Sequence, residues 1–241
     1  MKIYSKTDIG VRRNTNQDYA YYSAEQVGNL PNVLIVADGM GGHKAGEVAS
    51  EQAVSAVLQS IRDNECKDKI SLIEEAIDIA NGKVLELAAK DENYKGMGTT
   101  LVMATLEGNN LYVANVGDSR LYLIDDDIRQ ITRDHSLVQE MVSIGELDKE
   151  SAKTHLKRNV ITRAVGVEQK VTADFFEVEV SKGTKILLCS DGLTNMVDDS
   201  MIKSIIDECA TSGIEQAVER LVNAANENGG LDNIAVVLAE V

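Results

Sequence analysis

Short apolar runs rich in β-branched side chains recur along the chain, and such runs are typical of buried strands. The clearest lie at residues 32–37, 99–105, 111–116, 121–124, 184–189 and 234–238. Several are joined by very short connections, which favours antiparallel pairing of neighbouring strands. Asn109-Asn110 lies between two of the runs and predicts a tight hairpin turn there.

Four other stretches space their apolar side chains three or four residues apart, as one face of an amphipathic helix does. Two follow Gly46-Glu47, at residues 54–61 and 73–87, and two lie near the end of the chain, at residues 199–209 and 214–226. The predicted helices therefore come in pairs between groups of strands. This order favours an α+β fold of mostly antiparallel sheets covered by helices, with an α/β fold as the minor alternative.

The composition predicts one continuous domain, residues 1–241. The hydrophobic content is 44%, which is enough for a sizeable core, and no Ser/Gly-rich or proline-rich tract marks a linker. No stretch approaches eighteen uncharged apolar residues, so we expect neither a signal peptide nor membrane insertion. The three cysteines lie far apart in sequence, which suits reduced thiols in a cytoplasmic protein.

The chain is strongly acidic, with a formal net charge of −15 and a pI near 4.6. A negative protein is repelled by nucleic acids and by anionic membranes. We therefore expect no nucleic-acid partner.

Carboxylates stand at the ends of several predicted strands. Asp38, Asp118 and Asp191 end apolar runs, and Asp232 begins one. In antiparallel pairing the start of one strand lies beside the end of its neighbour, so the four side chains can share one rim. An isolated Asp-Gly pair is also a common hairpin signal, but a glycine-rich segment and a helix follow Asp38-Gly39.

Clustered carboxylates repel one another and are costly to bury unless they are protonated or neutralised by cations. A ligand set made only of oxygen, with no Cys or His at matching spacing, indicates Mg²⁺ or Mn²⁺ rather than zinc. Gly39 supports a metal site, because a residue without a Cβ lets its carbonyl or a metal-bound water come close.

These residues resemble those of the metal-dependent type 2C Ser/Thr protein phosphatases in their short bacterial form. Seven motifs carry the resemblance, at residues 12–18 (RRNTNQD), 36–43 (VADGMGGH), 96–100 (GMGTT), 114–120 (ANVGDSR), 161–166 (ITRAVG), 189–193 (CSDGL) and 232–235 (DNIA). They occur in the family's order and cover essentially the whole chain.

The resemblance implies a four-layer sandwich of two antiparallel β-sheets flanked by pairs of helices, with a flap segment near the active site. It also implies two to three Mn²⁺ or Mg²⁺ ions. Asp38 would bridge two metals and the Gly39 carbonyl would help hold one of them. Asp191 and Asp232 would hold the other metal, Asp118 would help bind a third, and Asp18 would lie near the second.

The implied activity is the hydrolysis of phosphoserine and phosphothreonine monoesters in phosphoproteins, in opposition to a cognate Ser/Thr kinase, by a monomeric enzyme. Two ions would lower the pKa of a bridging water, and the resulting hydroxide would attack phosphorus directly. Asp38 and Arg13 are the implied catalytic residues. Arg13 would bind the phosphoryl oxygens, because the guanidinium fork can donate two parallel hydrogen bonds.

Two positions depart from the family pattern of many relatives outside bacteria. Gln17 precedes Asp18 where those relatives have glutamate, so only Asp18 is carried over as an acidic site residue. Met40 follows Gly39 where they have a histidine that is a proposed general acid, and methionine cannot donate that proton. His43 is a weaker candidate for the acid than a metal-bound water.

A basic segment interrupts the acidic chain. It contains Lys149, Lys153, Lys157, Arg158 and Arg163 with the single acid Glu150. The resemblance places it, with residues 136–147, in the flap. We interpret it either as a site that recruits phosphorylated peptide or as an ordinary solvated helix face.

Other classes of phosphatase fit less well. None of the three cysteines is followed six residues later by arginine, which excludes a cysteine-based phosphatase, and Glu47 replaces the lysine of a P-loop. The alternatives that remain are another two-metal phosphohydrolase, such as a nuclease, and a non-catalytic pseudophosphatase that binds phosphoproteins.

Overall fold

A computed structural model describes residues 1–42 and 44–241. Most of the strands lie in two antiparallel sheets. The first sheet has the order β1 (Lys2–Asp8), β11 (Ile234–Glu240), β10 (Lys185–Cys189), β7 (Arg120–Ile124) and β8 (Ile128–Gln130). The second has the order β2 (Asp18–Ser23), β3 (Val33–Met40), β5 (Leu101–Glu107), β6 (Asn110–Val116) and β9 (Asp174–Glu179), and β4 (Gly98–Thr99) pairs with the end of β3.

Helices cover the outer face of each sheet. The second sheet packs against α1 (Ala45–Asp63) and α2 (Lys69–Lys90), and the first against α5 (Asp191–Thr194), α6 (Asp199–Glu208) and α7 (Ile214–Glu227). Two short helices, α3 (Leu137–Ser143) and α4 (Lys149–Thr154), lie between β8 and β9. Among the described helices, none is both long and apolar enough to span a bilayer.

Aspartates define where several helices begin. The Asp68 side chain accepts a hydrogen bond from the Ser71 N–H at 2.8 Å, and the Asp198 side chain accepts one from the Met201 N–H at the same distance. Each bond satisfies a backbone donor that has no partner within the helix. Part of the acid content therefore has a structural role at helix starts.

The alternation of side chains along the central strands produces separate hydrophobic layers. In β3, Leu34 and Val36 contact the other sheet, whereas Val33, Ile35 and Ala37 pack under α1 and α2. Successive side chains of a strand point to opposite faces, so one buried strand contributes to two layers. The result is the predicted α+β sandwich with helices outside two facing sheets.

The interior strands and the four long helices lie where the pattern predicts them. Four strands were missed, namely β1, β2, β8 and β9, and each is at the edge of its sheet. Edge strands are partly exposed and mix polar with apolar residues, so they lack a continuous apolar run. Residues 131–173, which show no apolar pattern of their own, contain α3 and α4.

The predicted hairpin turn is wrong by one residue. Asn110 pairs with Glu107 as the first residue of β6, so the turn consists of Gly108-Asn109 rather than Asn109-Asn110. Gly108 has φ of 60°, a left-handed conformation that glycine adopts without steric cost.

Candidate metal centre

The topology brings five aspartates to one end of the sandwich. Asp18 opens β2 and lies directly opposite Asp38 in β3. Asp191 opens α5 immediately after β10, Asp232 lies two residues before β11, and Asp118 lies two residues after β6. Burial raises the pKa of Asp38, and repulsion from each of the other four carboxyls adds to the rise, as expected for carboxyls gathered at one rim.

Burial is the main reason that these carboxyls resist ionisation, and mutual repulsion is the next. Burial raises the pKa of Asp191 to about 6, that of Asp18 to about 7 and that of Asp118 to about 8, with repulsion from neighbouring aspartates adding to each rise. The pKa of Asp38 is raised well above its usual range for the same reasons. The hydrogen bond from Ser190 Oγ partly offsets the rise in the pKa of Asp18.

In two of the carboxylates, those of Asp18 and Asp191, a hydrogen bond holds one oxygen and the other oxygen has no partner in the described part of the chain. Ser190 Oγ donates to Asp18 Oδ2 at 2.6 Å, and Asn195 Nδ2 donates to Asp191 Oδ2 at 2.9 Å. Oδ1 of Asp18 and Oδ1 of Asp191 are buried and have no hydrogen-bond partner among the described residues. Buried polar atoms are nearly always paired, so two unpaired oxygens in one cluster indicate a cation site.

Two threonines hold the backbone of Asp38, namely Thr99 in β4 and Thr100, which follows β4. The Asp38 N–H donates to Thr100 Oγ1 at 2.9 Å, and the Asp38 carbonyl accepts from Thr99 Oγ1 and from the Thr100 N–H, both at 2.9 Å. Thr100 Oγ1 also shares a hydrogen bond of 2.7 Å with Ser119 Oγ, next to Asp118. This network links the positions of two aspartates of the cluster.

Gly39 has no room for a side chain. A Cβ built on it would lie 2.0 Å from the Gly46 carbonyl oxygen and 2.7 Å from the Gln17 carbonyl oxygen. The start of α1 therefore packs directly on the β3 backbone beside Asp38. Glycine is required here for close packing of α1, a reason that sequence inspection alone does not reveal.

The cluster fits hard divalent cations that keep part of their water shell. Its donors are carboxylate and carbonyl oxygens, which Mg²⁺ and Mn²⁺ prefer. Within the described residues, no three His, Cys, Asp or Glu side chains are arranged to enclose one ion. Ions that take one or two carboxylates each and several waters need no such enclosure, and the electrostatic coupling of all five aspartates supports a shared site of this kind.

Arg13 lies against this cluster. Its Nη2 donates to Asp232 Oδ2 at 2.6 Å, and 47% of its side chain is exposed. A positive group at this place can bind an anionic substrate, although its present partner is one of the predicted metal ligands.

Asn233 connects the loop that carries Arg13 to the strand that carries Asp232. Its Oδ1 accepts from the Gln17 N–H, and its Nδ2 donates to the carbonyls of Ile9 and Thr15, all at 2.9 Å. Gln17 itself lies against the start of α1 and is a packing residue.

Several residues that position the cluster have no role that the sequence pattern indicates, although most of them lie inside the seven motifs. They are Thr99, Thr100, Ser119, Ser190, Asn195 and Asn233. Only Ser119, Ser190 and Asn233 adjoin an aspartate within a motif, and even this adjacency does not indicate what each side chain binds.

The remaining candidate residues either lie outside the carboxylate cluster or are not among those that the structure describes. His43 is not among the described residues, and neither are the side chains of Lys149 and Lys153. Met40 ends β3 beside Gly39. Arg163, at the end of the basic segment, donates to Asp174 Oδ1 in β9 at 2.8 Å, so that part of the segment is anchored to the sheet.

Comparisons with known proteins agree with this architecture. The sequence profile of the family described as protein phosphatase 2C matches residues 11–238. The protein phosphatase PhpP of Streptococcus pneumoniae is 40% identical, and the match covers 100% of this chain and 98% of that protein. The serine/threonine phosphatase stp of Listeria monocytogenes is 40% identical over 98% of this chain and 94% of its own length.

Solved structures give the same result. The S. agalactiae serine/threonine phosphatase superposes with a TM-score of 0.92 at 35% identity, covering 100% of this chain and 99% of that one. The catalytic domain of the phosphatase PstP, solved in complex with two manganese ions, superposes with a TM-score of 0.86 at 32% identity, covering 99% and 97%. By sequence and fold, the chain belongs to the protein phosphatase 2C family.

Proposed function

We propose that the protein is a metal-dependent Ser/Thr protein phosphatase that hydrolyses phosphoserine and phosphothreonine monoesters of phosphoproteins. The observation that carries this proposal is the cluster of five aspartates at one end of the sandwich, with two buried, unpaired carboxylate oxygens. A protein that only bound phosphoproteins would have no need of a carboxylate cluster that is costly to bury. A nuclease binds its substrate in a positively charged groove, and the net charge of −15 disfavours such a groove.

The five aspartates would hold two to three Mn²⁺ or Mg²⁺ ions. Asp38 would be a ligand of two of the ions, the Gly39 carbonyl would help hold one of them, and Asp191 and Asp232 would hold the other. Asp118 would help bind a third ion, and Asp18 would lie near the second. When bound, these cations supply a nucleophile at neutral pH and offset the negative charge of the phosphoryl group.

The residues of the chain itself position the reactants. Ser190 and Asn195 orient Asp18 and Asp191 by single hydrogen bonds. Thr99 and Thr100 fix the backbone of Asp38, and Arg13 binds the phosphoryl oxygens. In the reaction the P–O bond to the serine or threonine oxygen breaks, a water oxygen joins phosphorus, and the protonated alcohol leaves.

The test of the proposed function is phosphate release from a phosphothreonine peptide. We expect turnover with Mn²⁺, loss of turnover in excess chelator and loss in Asp232→Asn. Asp126→Asn, which changes an exposed loop aspartate, is the matched control and should keep full activity. Hydrolysis that survives both the chelator and Asp232→Asn would exclude metal-dependent catalysis.

Arg13→Ala is expected to raise KM for the phosphopeptide about tenfold, because one charge-assisted, bidentate contact to phosphate is lost. Arg13→Lys should recover only part of the effect, since an ammonium cannot donate in a fork. Arg12→Ala removes a neighbouring exposed arginine and should leave KM unchanged. Equal effects of the Arg12 and Arg13 changes would show that Arg13 contributes only general positive charge.

The basic segment provides a second prediction about substrate binding. Replacing Lys153 and Lys157 with glutamate should raise KM for a phosphopeptide severalfold more than KM for a small aryl phosphate, because only the peptide is long enough to reach the flap. Lys67→Glu with Lys182→Glu changes the net charge equally outside the flap. If that control has the same effect, or if both substrates respond equally, the segment is only a solvated face.

A cognate Ser/Thr kinase that supplies the phosphoprotein, a monomeric state and a cytoplasmic location complete the proposal. They are supported by the family resemblance and by the composition of the chain. Size-exclusion chromatography with light scattering would test the monomer directly.

A further inference from the structure

A cavity of about 390 Å³ lies beside the carboxylate cluster. Its lining has an apolar part and a polar part. The apolar part comes from Met40, Ile161, Ala164, Val167 and Val171, and the polar part comes from Thr162, Arg163, Glu168, Lys170 and Thr172. The volume is in the range of small-ligand pockets, where apolar side chains provide contact area and polar groups fix the orientation of the ligand. None of the proposed metal ligands lines it, so its chemistry differs from that of the catalytic centre.

The backbone connects this cavity directly to the catalytic centre. Met40 is the residue after Gly39, and it pairs with Gly98 where β4 joins β3. Thr99 binds the Asp38 carbonyl and also exchanges two backbone hydrogen bonds with Val165, of 2.8 and 3.0 Å. Adjacent Cα atoms are about 3.8 Å apart, so the cavity begins one residue away from Gly39.

Gly98 shapes the inner wall of the cavity. A Cβ at this position would lie 2.7 Å from the Met40 Cε, 2.8 Å from the Val167 Cγ2 and 3.0 Å from the Val165 carbonyl oxygen. The Met40 and Val167 side chains therefore meet over a glycine. Val167 is 50% exposed, which places it where the cavity opens to solvent.

The part of the chain that precedes the lining segment exposes other large apolar side chains. Ile144 is 69% exposed, Leu156 is fully exposed and Val160 is 46% exposed. Exposed apolar groups of this kind are available to a substrate or partner. The proposed catalytic centre acts on a phosphorylated side chain of a protein substrate. The residues next to that side chain in the substrate are therefore the groups that reach the cavity.

We propose that this cavity is a specificity subsite that binds a large apolar side chain of the phosphoprotein substrate, within a few residues of the phosphorylated one. The inference rests on the proposed phosphatase function and goes beyond it by naming a sequence preference of the substrate. Met40 and Val167 are the specificity-determining residues.

The test uses phosphothreonine peptides that are identical except for one leucine, moved through the three positions on each side of an otherwise glycine-rich sequence. At the position that enters the cavity, leucine should raise kcat/KM about ten- to hundredfold over glycine, which corresponds to burial of one apolar side chain. Val167→Trp fills the opening and should abolish this preference, so that the leucine and glycine peptides have equal kcat/KM. Val160→Trp adds the same bulk outside the cavity and should keep the preference.

The outcomes separate this inference from the function on which it rests. Hydrolysis of p-nitrophenyl phosphate with equal kcat/KM for leucine and glycine peptides at every position would overturn the subsite alone. A leucine preference that persists in Val167→Trp would place the preference elsewhere and would also overturn it. Failure of the wild-type protein with Mn²⁺ to hydrolyse any of these phosphate esters would overturn the proposed function, and the subsite with it.

Discussion

Replacing Asp38 with asparagine is expected to lower kcat/KM for a phosphopeptide by about three orders of magnitude. Removing a residue that hydrogen-bonds to a metal ligand typically lowers metal affinity or activity 10- to 100-fold. Asp38 is itself the proposed shared ligand of two ions, so its replacement should lower activity further. Asparagine keeps the shape of the side chain and removes its charge. Mn²⁺ affinity measured by calorimetry should fall together with activity.

The same substitution should stabilise the metal-free protein at pH 8. Wild-type folding at this pH requires Asp38 either to take up a proton or to bury its charge among four other aspartates, and asparagine requires neither. We expect the free energy of unfolding to increase, measured with urea in the presence of chelator. A variant that lost activity through misfolding would be less stable, so the two measurements distinguish a missing ligand from a damaged fold.

Asp126→Asn is the control for both measurements, because Asp126 is an exposed loop residue. It should change neither kcat/KM nor the free energy of unfolding. Activity of Asp38→Asn within tenfold of the wild type, at saturating Mn²⁺, would contradict the role proposed for Asp38.

The interior of the fold was predictable because its strands are continuous apolar runs. Residues such as Ile35 and Val36 are fully buried on opposite faces of β3, and a strand buried on both faces has no polar positions to obscure it. The edge strands β1, β2, β8 and β9 are partly solvated, and their polar residues hid them. The hairpin turn was displaced because Gly108, rather than Asn110, supplies the left-handed conformation.

The aspartates of the candidate site were also predictable, whereas the groups that hold them were not. Each aspartate adjoins an apolar run or a quoted motif, and that proximity is visible in the sequence. The hydrogen bond from Ser190 to Asp18 joins residues 172 positions apart, and it depends on how the two sheets face each other. A serine at the end of a strand has no distinguishing pattern, so only the three-dimensional arrangement reveals what it binds.

The ion pair of Arg13 with Asp232 could not be predicted either. The resemblance assigned the arginine to phosphate and the aspartate to metal, and separate assignments give no reason to expect a contact between them. Binding of phosphate by Arg13 stays a prediction.

Without metal, the protein should lose stability as the pH rises from 5 to 8. Asp191, Asp18 and Asp118 have folded-state pKa values of about 6, 7 and 8, above the ordinary value near 4. Between these limits the folded state binds more protons than the unfolded state, so the free energy of unfolding falls as the pH rises. The stabilising contribution of these three protonated aspartates to the free energy of unfolding is complete below about pH 4. It is lost as the pH rises through their folded-state pKa values, from about 6 to about 8. We expect a decrease of about 3 kcal/mol or more in chelator.

Other titrating groups act in different directions or in a different pH range. Surface carboxylates such as Asp68 and Asp148 have lowered pKa values because they accept hydrogen bonds from Ser71 and Ser151, so their contribution is lost only at acid pH. Burial lowers the pKa of His135, which favours folding as the pH rises and opposes the cluster below about pH 6.5. His135 reduces the net fall only below about pH 6.5, so the decrease in the free energy of unfolding should continue across the whole range from pH 5 to 8.

Mn²⁺ should reverse this dependence. Metal binding requires ionised carboxylates, so affinity increases over the same pH range in which the metal-free cluster is destabilised. At a concentration 100 times the dissociation constant, one bound ion adds about 2.7 kcal/mol to the free energy of unfolding. Urea unfolding at pH 5, 6.5 and 8, with Mn²⁺ and with chelator, should thus give curves that diverge with pH. Parallel curves would mean that the five aspartates are not the site of the ions, because proton release and metal binding would then involve different groups.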